Sequence, residues 1–405
     1  MGGAAGGVNT TGLLAKVGGG GPANCSTYPS PFLEQQFWLV SIFGSTLALI
    51  GFAANCLLAY VFMSQPTFRK RHYFYLCALA IIDAGHCLSY VAVFALCIAY
   101  EYLHLLPLMR LWYGYVVPVY ALCHVLRLSG TWLLVSVSIE HYFSANFFSA
   151  FCTIRKRFAL LTVSLILAVV FRGTMLFEFQ VRHRPACEGL AEYLLEPTPF
   201  FLSRFGLIWT VFVRNIATVL LPFFLLLVVN LGIVYRDRCQ CILVEEDEAV
   251  SSRVSSQMDV LSKEQQKQGS QMRLRIQPSI RPGKRRKSRL PKLSLPGRQQ
   301  RNSSLLRRKN KSLTGHWVDR ARQRVQRSAT RTLIALAVTY LISSLLSVVL
   351  VVWEYVDSEG LNRDHYYFYT MASDCISLLS LLTAASRLPI YAACDLKFRH
   401  TAQWL

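Results

Sequence analysis

Apolar residues run along this chain in long unbroken blocks, not in the stripes of an amphipathic helix or the alternation of a half-buried strand. Seven blocks stand out: residues 37–63, 73–98, 112–139, 158–179, 205–235, 332–353 and 368–393. A bilayer core about 30 Å thick is crossed by roughly 20 helical residues at about 1.5 Å each. Every block meets that length. A helix satisfies its own backbone hydrogen bonds, which lipid cannot do for it. Alternating runs of the membrane-barrel kind are absent from the sequence. The pattern predicts an all-α, seven-transmembrane helix bundle.

Composition agrees and adds orientation. The 405 residues are 53% hydrophobic, yet the formal net charge is +21. Apolar spans joined by basic loops reconcile the two figures. Arg69, Lys70 and Arg71 follow the first block, and Arg155, Lys156 and Arg157 precede the fourth. Residues 236–329 hold about two dozen of the 43 Lys and Arg, and Lys397 and Arg399 follow the last block. Basic loops mark the cytosolic side, so the N-terminus is expected outside and the C-terminus inside a plasma membrane. The start lacks an apolar signal-peptide core, so the first block is expected to direct insertion. The expected organisation is an extracellular Gly-rich tail (1–36), helices 1–5 (37–235), a disordered basic cytoplasmic loop (236–329), helices 6–7 (330–393) and a short C-terminal segment (394–405). In the tail, Asn9 and Asn24 head glycosylation triplets. The basic loop suits anionic inner-leaflet lipids better than nucleic acid.

Ionisable groups inside spans are costly and therefore candidates for function. Asp83, His86, His124, Arg127, Arg172, Glu178, Arg214, Asp374 and Arg387 make up that set. His124 and Arg127 are three apart and share a helix face. The arginines of the outer half favour an anionic or carboxylate-bearing ligand, unless Glu178 and Asp374 neutralise them. No nucleophile–base pair, phosphate loop or metal cluster appears, so neither an enzyme nor a cofactor is expected. Most of the 12 cysteines fall in spans or on the cytosolic side. Cys25, Cys187 and Cys97 are the ones placed to see the oxidising side.

Certain residues together resemble the rhodopsin-like G-protein-coupled receptors. Gly51 with Asn55 is similar to the first-helix pattern, and Leu79, Ala80 and Asp83 to that of the second. Ser138, Ile139, Glu140, His141 and Tyr142 stand where the family has Glu/Asp-Arg-Tyr. Leu221, Pro222 and Asn230 look like the fifth-helix pattern. Leu388, Pro389, Ile390 and Tyr391 look like the end of helix seven, running through Asp395 and Phe398 into a short amphipathic eighth helix. Pro118–Ala121, the run from Ser129 to Tyr142, and Phe177, Glu178 and Phe179 look most like invertebrate FMRFamide-like neuropeptide receptors.

The resemblance implies a peptide ligand and a heterotrimeric G-protein partner. It places His124, Arg127, Arg214, Glu178, Asp374 and Cys123 at the ligand side. Glu140, His141, Tyr142, Tyr391 and Tyr340 take the activation and coupling side. In the family the second-helix Asp faces a seventh-helix Asn across a sodium ion. Here those positions are Asp83 and Arg387, and a direct ion pair is expected in place of the ion; the alternative is an Arg387 that reaches to the inner headgroups. The usual third-helix cysteine is missing, with Val116 near its place. Cys187 is therefore expected to pair with Cys25 or Cys97, Cys25 being favoured. His141 for Arg, Arg387 for Asn and Ser343-Ser344 in the sixth-helix motif are departures. They favour, as the second reading, a seven-helix protein that binds without ordinary coupling; a transporter is the third.

Overall fold

The computed structural model describes residues 25, 32–64, 73–144, 154–239, 257, 298–357, 365–395 and 398–399. Asn9, Asn24, the inner clusters at 69–71 and most of the basic loop lie outside them. Two compact units divide the chain: Met1–Gly232 with Val325–Leu405, and Ile233–Arg324. Everything below on packing and sites concerns the first.

Among the described residues, seven helices are long and apolar enough to cross a bilayer: α1 (Leu33–Ser64), α2 (Phe74–Tyr102), α3 (Leu106–Phe143), α4 (Arg157–Phe177), α5 (Phe212–Cys239), α6 (Arg327–Val356) and α7 (Tyr366–Cys394). Their outer faces carry large exposed apolar side chains, such as Trp38, Leu111, Phe212, Val228 and Ile342. A water-soluble protein seldom exposes so much contiguous apolar surface, whereas lipid is its natural solvent. The helix bearing α6 is continuous from Arg298 to Val356. Residues 298–329 of this helix fall in the segment expected to be disordered; their Arg, Gln, Lys and Leu content favours helix. Of the expected eighth helix, only Asp395, Phe398 and Arg399 are described.

Proline and widened turns shape the interior. In α5, Pro222 has no N–H to give the carbonyl of Thr218, and its ring crowds that turn. The preceding turns, Trp209–Arg214 and Ile216–Leu220, are π-helical. Another π turn, Val91–Ala95, interrupts α2. Carbonyls there are taken by side chains instead: Trp112 Nε1 donates to Val93 O at 2.9 Å, Tyr115 Oη to Ala92 O at 2.9 Å and Ser41 Oγ to Ala95 O at 2.8 Å. Thus α1, α2 and α3 are joined at one end of the bundle. Near the middle, Asn55 Nδ2 donates to Ala384 O at 3.0 Å, tying α1 to α7. At the same level Gly51 lets α1 lie close to α2, since a Cβ there would stand 3.0 Å from Cys87 Sγ, while Ala385 Cβ on α7 would be at an ordinary 3.5 Å.

The end near Trp112 is covered by an antiparallel hairpin of β1 (Phe179–His183) and β2 (Tyr193–Pro197), with Phe179 opposite Pro197 and His183 opposite Tyr193. Phe179 was expected to close the fourth span. Instead the α-helix ends at Arg172, a 3-10 turn runs Gly173–Phe177, and Phe179 opens the strand. The alternation of Phe179, Val181 and His183 with Gln180 and Arg182 is short, but it has strand period.

Candidate functional site: a polar cavity between the helices

Two buried ion pairs organise the interior. Arg387 Nε meets the Asp83 carboxylate, and both side chains are 8% exposed. Arg387 reaches Asp83 because α7 is broken just before it. Pro389 cannot donate to Ala385, and the helix Tyr366–Ala385 restarts as Arg387–Cys394 after Ser386. The second pair is Arg214 with Glu178, both wholly buried. It joins the last residue of the first π turn in α5 to the residue just ahead of β1. Glu178 also lies 3.5 Å from Thr174 Oγ1, and Trp209 Nε1 donates to that hydroxyl at 3.3 Å.

Between the pairs lies a cavity of about 90 Å³. It is lined from α2 by Asp83 and His86, from α3 by His124, Arg127 and Thr131, and from α4 by Arg172. Thr218 contributes from α5, and Ser380, Thr383 and Arg387 from α7. From α6 come Tyr340, Ser343, Ser344 and Ser347. The spacing 340, 343, 344, 347 is one face of a helix. That stripe, and the one at 380, 383 and 387, are legible in the sequence as helical faces of polar side chains; Ser347, Ser380 and Thr383 are the members not singled out there. Arg172 donates to Thr218 Oγ1 at 2.7 Å, and His86 Nε2 lies 3.2 Å from Ser380 Oγ.

The ligand-side candidates separate into two groups. His124 and Arg127 line the cavity. Arg214 and Glu178 do not, because they bury and neutralise each other beside it. Asp374 does not line it either; it accepts a hydrogen bond from Gln36 Nε2 at 2.9 Å, toward α1. Cys123 contacts His86 Nδ1 at 3.6 Å and lies outside the lining. Tyr340, assigned from the sequence to coupling, lines the cavity.

Over the hairpin, Cys25 is bonded to Cys187, with Cα atoms 5.5 Å apart. Cys97 is not in a disulfide: it is buried within the α2–α3 core with its Sγ 3.8 Å from Tyr100 Oη. Glu192 gathers basic side chains. Arg110 NH2 and Nε donate to it at 2.9 and 3.1 Å, and His183 Nε2 lies 3.4 Å away. These contacts hold its carboxyl below the usual range, Arg110's hydrogen bonds contributing most.

At the opposite end stand the other coupling candidates. Glu140 Oε1 accepts from Arg157 NH2 and Nε at 3.1 and 3.2 Å. His141 Nε2 lies 3.0 Å from Thr330 Oγ1, which links α3 to α6. Tyr142 packs so closely on Gly232 that a Cβ there would lie 3.0 Å from its ring. Tyr391 is buried against Phe62 and Phe398, with ring centroids 5.5 and 6.2 Å away. Ser328 Oγ donates to Cys394 O at 2.7 Å, joining α6 to the end of α7.

With seven spans around a central polar cavity, the architecture is similar to the crystal structure of squid rhodopsin. The TM-score is 0.52 at 13% identity, over 94% of this chain and 90% of that one. The fold is a rhodopsin-like seven-helix bundle. No protein-family model and no curated protein matches the sequence. Among the described residues, no group of three or more His, Cys, Asp and Glu is placed to hold a metal ion.

Proposed function

We propose that the chain is a plasma-membrane receptor with its N-terminus outside, binding a short peptide and passing that event to a heterotrimeric G protein. The observation that carries the reading is the rhodopsin-like bundle with a polar cavity at its centre and a disulfide-anchored hairpin over one end. A peptide is the favoured ligand because the covering end offers aromatic and charged groups to an extended chain: Tyr113 and Tyr193 stacked at 5.5 Å, beside Arg110, Arg182 and His183. In the sequence, the loops on the expected cytosolic side are the basic ones, which suits anionic inner-leaflet lipids and a cytosolic partner.

The test is expression in cells, with surface display checked, against a library of short amidated peptides, read by calcium and cAMP. A saturable response to one peptide class supports the reading. Saturable binding with neither readout moving would favour the second reading, a seven-helix protein that binds without ordinary coupling. His141 and Arg387, at the positions where the family has Arg and Asn, are the observations behind that alternative.

A further inference from the structure

At the hairpin end of the bundle, α5 and α6 carry a buried guanidinium and a buried carboxylate that are not joined. Arg214 is wholly buried and meets Glu178 through NH1, while its Nε and NH2 have no hydrogen-bond partner among the described residues. Glu354 of α6 is 7% exposed, and its Oε2 has no partner among them either. Buried polar atoms are normally satisfied, and one that is not costs its full desolvation. The unsatisfied atoms are complementary. Nε and NH2 form one edge of the planar guanidinium, the edge that takes a carboxylate through two parallel hydrogen bonds.

The two helices touch at this level. The rings of Phe212 and Tyr355 stack with centroids 5.5 Å apart; Phe212 is two residues from Arg214, and Tyr355 adjoins Glu354. Val219 and Leu220 of α5 pack against the cluster that holds Leu350 and Val351 of α6. Glu354 stands three and four residues beyond these two, on the same face of the helix. The charge of Arg214 acts on Glu354. Arg172, the next guanidinium, already donates to Thr218 Oγ1.

We infer that Arg214 and Glu354 are the two halves of a latch, open in this structure. Glu354 closes onto the free Nε–NH2 edge while NH1 keeps Glu178. Closing satisfies three buried polar atoms at once and brings no new charge out of water. Glu178 directly precedes β1, so the closed latch ties α6 both to α5 and to the start of the hairpin. A displacement of the hairpin is then carried to α6. The latch is independent of what the hairpin end binds.

Amide hydrogen exchange of the full-length protein in nanodiscs, read by mass spectrometry over residues 204–220 and 346–356, tests this. Glu354→Gln removes the charge at nearly the same size. It should raise exchange in both segments about tenfold or more, the scale of a lost charge-assisted hydrogen bond. Glu354→Asp keeps a carboxylate and should recover part of the protection. Arg214→Lys separates a latch from simple attraction, since lysine keeps the positive charge but has no second edge. In that background Glu354→Gln should change nothing further. Exchange unaltered by Glu354→Gln alone would overturn the inference. An effect of Glu354→Gln that is equal with and without Arg214→Lys would do the same. Should Arg214→Lys fail to fold, the two Glu354 variants decide: Asp better protected than Gln supports the latch, and Asp no better than Gln rejects it.

Discussion

Single side chains carry unusually large consequences here, because charges inside this bundle have little water to fall back on. Asp83 and Arg387 are each 8% exposed and meet each other directly. Replacing one leaves its partner buried and uncompensated, a loss of about 3–5 kcal/mol in comparable cases. Arg387→Ala and Asp83→Ala should each cut surface expression and thermal stability severely, while the double variant recovers part of the loss. Strictly additive losses in that cycle would contradict the pairing. The same pair predicts an indifference: with the Asp83 carboxylate engaged by Arg387, exchanging sodium for N-methylglucamine at fixed chloride should leave the unfolding midpoint unchanged. The charges of this interior were legible in the sequence, since an ionisable residue in an apolar block is conspicuous. Their partners were only half legible. Asp83 with Arg387 was expected from the resemblance, which sets those two positions face to face, but Arg214 with Glu178 depended on a turn geometry that no residue count reveals. Cys97 shows the converse, a thiol whose position in the chain suggested the outside while its side chain points into the core.

Elements were legible where one physical rule dominates and obscure where two compete. The apolar blocks gave seven spans because bilayer thickness leaves no shorter solution. Their ends were harder, since hydrophobicity alone does not say where a helix stops. Phe179 is as apolar as a span residue, yet it belongs to a strand. The hairpin it opens is held by the Cys25–Cys187 bond and by the contacts of Glu192 with Arg110 and His183. Arg110 holds the Glu192 carboxyl below its ordinary value, which fixes the sign of the pH dependence. A depressed folded-state pKa stabilises fully above the unfolded value, about 4.3, and the benefit is lost as pH falls through the folded value. Amide exchange in β1 and β2 should therefore be faster in Glu192→Gln than in wild type at neutral pH. The difference should shrink as pH drops below the usual glutamate range, when wild type also loses the charge. A difference that persists unchanged into strong acid would show that the ion contacts do not hold the hairpin.

Across the whole molecule, polar contacts form a discontinuous chain from the hairpin to the opposite end. Arg214 and Glu178 lie near the cover, the cavity and the Asp83–Arg387 pair lie in the middle, and His141 with Thr330 lies at the far end. Of these, the cavity was the least legible in sequence. It depends on six helices presenting faces to one point, and sequence shows each face separately. The far end is where the proposed function makes its most direct demand. His141 touches Thr330 and so helps to hold α3 against α6, but an imidazole has two ring nitrogens where the family's arginine has five N–H donors. A receptor that signals by separating those helices and admitting a partner should gain from the longer, permanently charged side chain. His141→Arg is therefore expected to raise ligand-driven signalling about tenfold or more at matched surface expression, the scale of one added charge-assisted hydrogen bond. Thr330→Val removes the hydroxyl that His141 meets while keeping nearly the same volume. It should raise ligand-independent signalling without altering ligand affinity by more than the small coupling typical of linked sites. The two variants act on different quantities, maximal response and basal response. A receptor unmoved in both would place His141 in the packing of the bundle and not in its signalling.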